Sequence, residues 1–215
     1  MSALQSRISV VSKLDGIPSW SLQAVDTCPG AKENGELVEV CKGCYARGGN
    51  YRFKAVRNTR EINRKAWRRK NWVPYMIGCI DPYKYFRWFD SGDVYCRGLG
   101  VKIYEVISGT PNTKHWLPTR SYKFPKLYEI LEEINKLPNA CVRYSGDKLD
   151  IPPNIGQNKS IVLSKPNNNV FTCGAYKQVP AKCNGCRACW DKEIPTIGYK
   201  AHGRIMLKVI NNGAD

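Results

Sequence analysis

The apolar positions of this chain follow two different periods. Over residues 125–137 (PKLYEILEEINKL), Leu127, Ile130, Leu131, Ile134 and Leu137 fall at i, i+3, i+4 and i+7, the stripe of an amphipathic helix. Proline suits the first turn, and Pro138-Asn139 ends the segment. Shorter runs read as strands: residues 19–25, the aromatic-rich 85–89, 140–144 and 160–164. Residues 1–20 read as an extended lead-in with a Val-rich piece at 8–11, and residues 31–40 as a polar loop. Residues 51–71 lack Gly and Pro and predict a helix, although Val56, Asn63, Ala66 and Trp67 make only a weak stripe. Residues 100–108 read as a short helix or loop, and His115-Trp116-Leu117 leads to another strand end at Thr119-Arg120. Strands that alternate with helices predict an α/β fold with a mainly parallel sheet.

Polar groups recur where the predicted strands end: Cys28, Ser91-Gly92-Asp93, Thr119-Arg120 and Ser145-Gly146-Asp147. Parallel sheets and barrels present their ligand sites at that edge. The same residues also suit plain polar turns.

The 215 residues, 42% of them hydrophobic, suffice for a real core. No run approaches the ~18 apolar residues of a transmembrane helix, so no membrane partner is expected. The N-terminus lacks the apolar core and cleavage site of a signal peptide, which predicts a cytoplasmic location. Two histidines, His115 and His202, argue against His-based catalysis. A net charge of +16 favours a polyanionic partner, nucleic acid above all. Residues 47–70 hold seven Arg and three Lys against one Glu. Arg57, Arg60, Arg64 and Arg68 recur at helical spacing and predict a guanidinium strip suited to phosphates. Neighbouring aromatics such as Tyr51, Phe53 and Trp67 suit base stacking. No zinc-finger, RNP or helix-turn-helix signature points to sequence reading.

Seven of the ten cysteines form two arrays, Cys28-x12-Cys41-x2-Cys44 and Cys173-x9-Cys183-x2-Cys186-x2-Cys189. In a cytosolic chain CxxC spacing points to metal rather than disulfides. The C-x2-C-x2-C run is typical of a [4Fe-4S] cubane, with zinc as the alternative. Three thiolates at the first array leave one coordination position open; four at the second close the shell. Two clusters are expected, although the arrays can also pool into one. Cys79, Cys96 and Cys141 stand alone and read as structural.

The first array, at a strand end and followed by Tyr45, resembles the cysteine loop of radical S-adenosylmethionine enzymes, whose usual spacing is CxxxCxxC; here the first gap is twelve residues, a variant. That resemblance implies a partial (β/α) barrel-like sheet and S-adenosylmethionine on the open iron, cleaved to a 5′-deoxyadenosyl radical. It also implies an adenine contact at Tyr45 and a methionine contact at Ser91, Gly92 and Asp93. The ordered set Cys28-Pro29-Gly30-Ala31, Cys44-Tyr45-Ala46, Ser91-Gly92-Asp93, Thr119-Arg120 and Cys183-x2-Cys186-x2-Cys189-Trp190 resembles the phage "gene product eighty-eight" family. This implies a phage-encoded iron–sulfur protein. The expected organisation is an α/β core over 1–165, with the N-terminal cysteine loop and basic helix, and a cysteine-rich extension over 166–215. The rival function is a non-enzymatic DNA- or RNA-binding protein with a structural or redox-sensing cluster.

Overall fold

Runs of aromatic and β-branched residues make the strands, and their period-two alternation gives each strand two unlike faces. The computed structural model describes residues 5–177 and 179–212. Among these the chain runs β1 (Ser9–Val11), β2 (Ile17–Trp20), a small hairpin of β3 (Lys32–Glu33) and β4 (Glu36–Leu37), α1 (Glu39–Lys42), α2 (Lys54–Ala66), α3 (Trp72–Ile80) and β5 (Tyr85–Trp88). It continues through α4 (Arg97–Ser108), β6 (Lys114–Thr119), α5 (Pro125–Lys136), β7 (Ala140–Leu149), β8 (Lys159–Leu163), β9 (Phe171–Thr172), β10 (Thr196–Lys200) and α6 (Arg204–Asn212).

Eight strands form one sheet in the order β1-β2-β5-β6-β7-β8-β10-β9. β1 is antiparallel to β2, and every other pairing is parallel. The fold is therefore α/β with a mostly parallel sheet whose two outer strands are edges. From β2 to β8 the strands follow one another in chain order. Right-handed crossovers in such a sheet keep their helices on one face. Met76 and Ile80 of α3, Ile103 and Ile107 of α4, and Leu131 and Ile134 of α5 accordingly share one core with Phe86, Trp88, Leu117 and Val142. Aromatic edges fill its centre: Trp20 meets Trp72 at 5.6 Å and Trp88 at 6.0 Å between ring centroids. Each such side chain contributes about 1.5–3 kcal/mol by leaving water.

The opposite pleat of the strands faces away from these helices. Trp116, next to Leu117 in β6, packs instead with Ile17 and Trp190 in a separate cluster. The cysteine loops cover this face.

Several elements differ from the sequence reading, each for a local reason. The first strand ends at Trp20, not Val25, and the Val-rich lead-in is its antiparallel neighbour. Residues 72–80 form a helix despite Pro74, which lies in the first turn, where a backbone N–H has no intrahelical partner to lose. Ser145-Gly146-Asp147 lies inside β7, not in a turn. Gly146 lets the returning chain press close, since a Cβ there would sit 2.3 Å from the Ile151 carbonyl oxygen. In the 166–215 segment, β10 pairs with β8 over five positions and carries β9 on its outer side, so this segment completes the same sheet. Among the described residues no helix is long and apolar enough to cross a membrane.

Candidate cysteine-lined site

A cavity of about 580 Å³ opens on the face that α3–α5 leave free. Its wall includes residues just past the C-terminal ends of β2 (Ala24, Val25), β5 (Asp90 to Asp93), β6 (Arg120) and β10 (Ala201, His202). Two non-glycine residues at these strand ends, Val25 (φ 70°) and Phe89 (φ 57°), hold left-handed backbone, and both line the cavity. Such strain is uncommon for bulky side chains and gathers at functional sites.

Six of the seven array cysteines line this cavity: Cys28, Cys41, Cys44, Cys173, Cys183 and Cys189. Cys186 does not; it is exposed. All ten cysteines are free thiols. The lone Cys141 is buried in β7, and Cys79 and Cys96 are half-buried. Burial pushes the Cys28 thiol far above its usual range, and nearby Asp93, Cys41 and Cys44 push the same way. Burial likewise raises Cys183, with Cys173 adding to it, and raises Cys189 to about 12. The thiols thus sit in two groups, one from each array, within one chamber. As neutral thiols they are apolar lining; as thiolates they need a cation. Among the described residues no three Cys, His, Asp or Glu side chains converge to hold a single metal ion.

The first group is built by close backbone approaches. α1 carries Cys41, and the Cys44 N–H donates to the Cys41 carbonyl at 3.2 Å. Gly43 lies under Met206 of α6, where a Cβ would stand 2.6 Å from its sulfur. Gly30 fits Cys28-Pro29-Gly30 onto the backbone of Arg120, since a Cβ would lie 2.1 Å from that carbonyl oxygen. The next strand end fixes the other side. Gly92 has φ +82°, and a Cβ there would meet Leu22 at 2.6 Å. The buried Ser91 Oγ donates to the Leu22 carbonyl at 2.6 Å. Asp93, also buried, accepts from Thr119 Oγ1 (2.7 Å), the Arg120 N–H (2.8 Å) and the Val94 N–H (2.7 Å). Asp93 therefore ties the end of β5 to the end of β6.

Tyr45 is 44% exposed at the cavity wall. Its ring stacks on His202 at 6.2 Å, and its hydroxyl donates to the Asp90 carbonyl at 2.7 Å. Tyr51 Oη donates to Asp90 Oδ2 at 2.5 Å and Arg87 Nη1 to Asp90 Oδ1 at 2.9 Å. Arg87 also lies over the Trp116 ring, 4.5 Å from its centroid. No residue spacing marks this network, because Arg87 sits on β5, Asp90 just past its end, and Tyr45 and Tyr51 in the 45–52 turns.

The second group depends on Arg143, a fully buried side chain of β7. Its guanidinium donates to the carbonyls of Cys189 (3.0 Å), Ile194 (2.9 Å), Ala188 (2.9 Å) and Asp191 (2.5 Å). Asn158 Nδ2 donates to the Lys192 carbonyl at 2.7 Å, and Trp190 Nε1 to the Phe86 carbonyl at 2.8 Å. At the loop's start Asp15 accepts from Arg187 Nη1 and the Gly185 N–H, both at 2.9 Å, and the Cys183 N–H donates to the Lys13 carbonyl at 2.9 Å. Cys189 Sγ lies 3.1 Å from Tyr199 Oη. A lone arginine inside an apolar strand run was the one sequence signal for this anchor.

The guanidinium strip predicted on α2 is broken. Arg57, Arg64 and Arg68 are exposed, but Arg60 is buried and stacks on Tyr51 at 4.7 Å. Arg60 faces inward because the helix begins only at Lys54, after a tight turn through 49–52 that carries Tyr51 under it. Arg64 pairs with Glu61 at 2.7 Å, and Arg68 lies over the Trp67 ring at 4.8 Å.

No curated protein and no solved structure matches the chain. A family model described as "Gene product 88" matches residues 3–192, a range that includes β2, β5 and β6 of the cavity wall and all seven array cysteines and ends before β10. The chain belongs to the gene product 88 family.

Proposed function

We propose that the protein is an iron–sulfur enzyme of the radical S-adenosylmethionine type, with its sheet forming a partial barrel around the cavity. The observation that carries this reading is the gathering of six array cysteines on one chamber at the C-terminal ends of the strands. Cys28, Cys41 and Cys44 would hold a [4Fe-4S] cluster with one iron open. Cys173, Cys183 and Cys189 would hold the second, with Cys186 reaching it only if its loop turns inward. The donor chemistry fits: soft thiols, three from each array, line one largely apolar chamber. When bound, a cluster with an open iron supplies a coordination site and an electron for cleaving S-adenosylmethionine.

The chain's own residues prepare the site. Tyr45 offers a flat aromatic face beside Cys44, held by Asp90 and His202. Asp93 keeps Arg120 in place across the strand ends. The apolar wall of Val25, Ala31, Val40 and Met206 limits water at the thiols. Thiolates of this kind stay reduced in a cytoplasm.

The test is turnover. Anaerobically reconstituted, dithionite-reduced protein should convert S-adenosylmethionine to 5′-deoxyadenosine and methionine, read by liquid chromatography. Cluster-loaded protein that yields neither product would refute the enzymatic reading and leave a structural or redox-sensing cluster.

A further inference from the structure

The cavity mouth joins two basic chain segments that are far apart in sequence. Three contacts bring them together: Met206 over Gly43, His202 stacked on Tyr45, and Ile205 beside Gly48, where a Cβ would lie 3.5 Å from Ile205 Cδ1. The first segment supplies Lys42, Arg47, Arg52, Lys54 and Arg57, and the second Lys200, Arg204 and Lys208, all exposed. No acid falls between Glu39 and Glu61 or between Glu193 and the end of α6. None of the eight takes part in an ion pair among the described residues. Arg47 follows cavity-lining Ala46, Arg52 follows cavity-lining Tyr51, and Arg204 lies between cavity-lining His202 and Met206. Lys42, Arg47, Arg52 and Arg204 thus flank cavity-lining residues and Lys200 is in the lining itself, so these cations border the cavity and Lys54, Arg57 and Lys208 extend the same segments. From one side, Arg52, Lys54 and Arg57 continue along a shallow groove on α2 that ends at Glu61, itself paired with Arg64 and Lys65.

We infer that this rim binds single-stranded nucleic acid and delivers one nucleotide into the cavity. This rests on the reading of the cavity as a reaction site and names its substrate class. The charge suits a phosphate backbone, and the exposed ring of Phe53 (61%) offers a face for a base. The cavity opens beside these cations, so a strand held by them presents a nucleotide to it. A base inside a duplex cannot reach such a chamber without leaving its stack, which favours a single strand. The rim differs from a helix-face strip in its residues: it includes both chain segments and excludes Arg60, Arg64 and Arg68.

The test is fluorescence anisotropy with a labelled mixed-sequence oligonucleotide, as single-stranded DNA, single-stranded RNA and duplex, over a salt series. Two rim variants, Arg47→Gln/Arg52→Gln/Lys54→Gln and Arg204→Gln/Lys208→Gln, should each weaken single-strand binding by about tenfold or more and flatten its salt slope. Arg64→Gln/Arg68→Gln should stay within about twofold of the parent, a change that moves no rim phosphate contact. Cys41→Ser/Cys44→Ser protein should still bind, which separates loss of the rim from loss of the cluster. Unchanged affinity in the rim variants, an equal loss in the Arg64/Arg68 variant, duplex bound as tightly as single strand, or binding to anionic vesicles in place of oligonucleotides would overturn the inference.

Discussion

Arg143→Met should lower the unfolding free energy by about 2–3 kcal/mol, because it takes the donor from four carbonyls of the 188–194 loop, that of Ala188 buried and those of Cys189, Asp191 and Ile194 part-buried, each costing up to about 1 kcal/mol. Among the described residues no carboxylate pairs with this guanidinium, and backbone oxygens meet its charge. Methionine removes a buried charge and keeps much of the volume, so part of the loss is offset. The remaining loss falls on the loop that presents Cys189. A urea titration should show the lower midpoint, and a thiol reagent should reach Cys189 faster in the folded variant. Arg143→Lys retains three N–H donors and should recover part of the stability. A midpoint equal to the parent's, with Cys189 still protected, would show that β10 and Trp190 hold the loop without Arg143.

Cys41→Ser/Cys44→Ser should abolish cleavage of S-adenosylmethionine while the protein keeps its fold. Cys41 of α1 is buried in a small cluster with Met206 of α6, apart from the main core of α3–α5, and Cys44 lies in the turn after α1. Serine replaces sulfur with a smaller, harder donor that does not sustain a cubane. In the two-cluster reading, bound iron should fall by about half, from about eight to about four per chain. Total loss of iron would instead mean that the two arrays pool into one cluster. Cleavage that persists in the variant would remove Cys41 and Cys44 from the reacting centre.

Much of the fold is legible in the amino-acid order, and the limits are physical. The stripe from Leu127 to Ile134 marks α5 because a solvated helix must bury one face. The aromatic run at 85–88 marks β5 because alternate residues serve two packed faces. α3 is obscured by Pro74, whose missing N–H costs nothing in a first turn. β10 is obscured because Thr196–Lys200 is short and contains Gly198; it becomes a strand only by pairing with β8, where a Cβ on that glycine would press within 2.4 Å of Leu163. The site divides in the same way. Cysteine spacing shows two groups of thiols, and local turns bring Cys41 and Cys44 together. That both groups face one chamber depends on the sheet order, which no spacing encodes. The charge run at 47–70 is visible too, but its division into a buried Arg60, a paired Arg64 and an exposed rim depends on where α2 starts and on what α6 covers.

The account stands most directly on iron and sulfide analysis of protein purified without oxygen, combined with electron paramagnetic resonance of the reduced sample with and without S-adenosylmethionine. It predicts a brown protein with equal iron and acid-labile sulfide, about eight of each per chain, and a reduced-cluster signal that changes when S-adenosylmethionine is added. Zinc in place of iron, an absence of sulfide, or an iron signal indifferent to S-adenosylmethionine would contradict it.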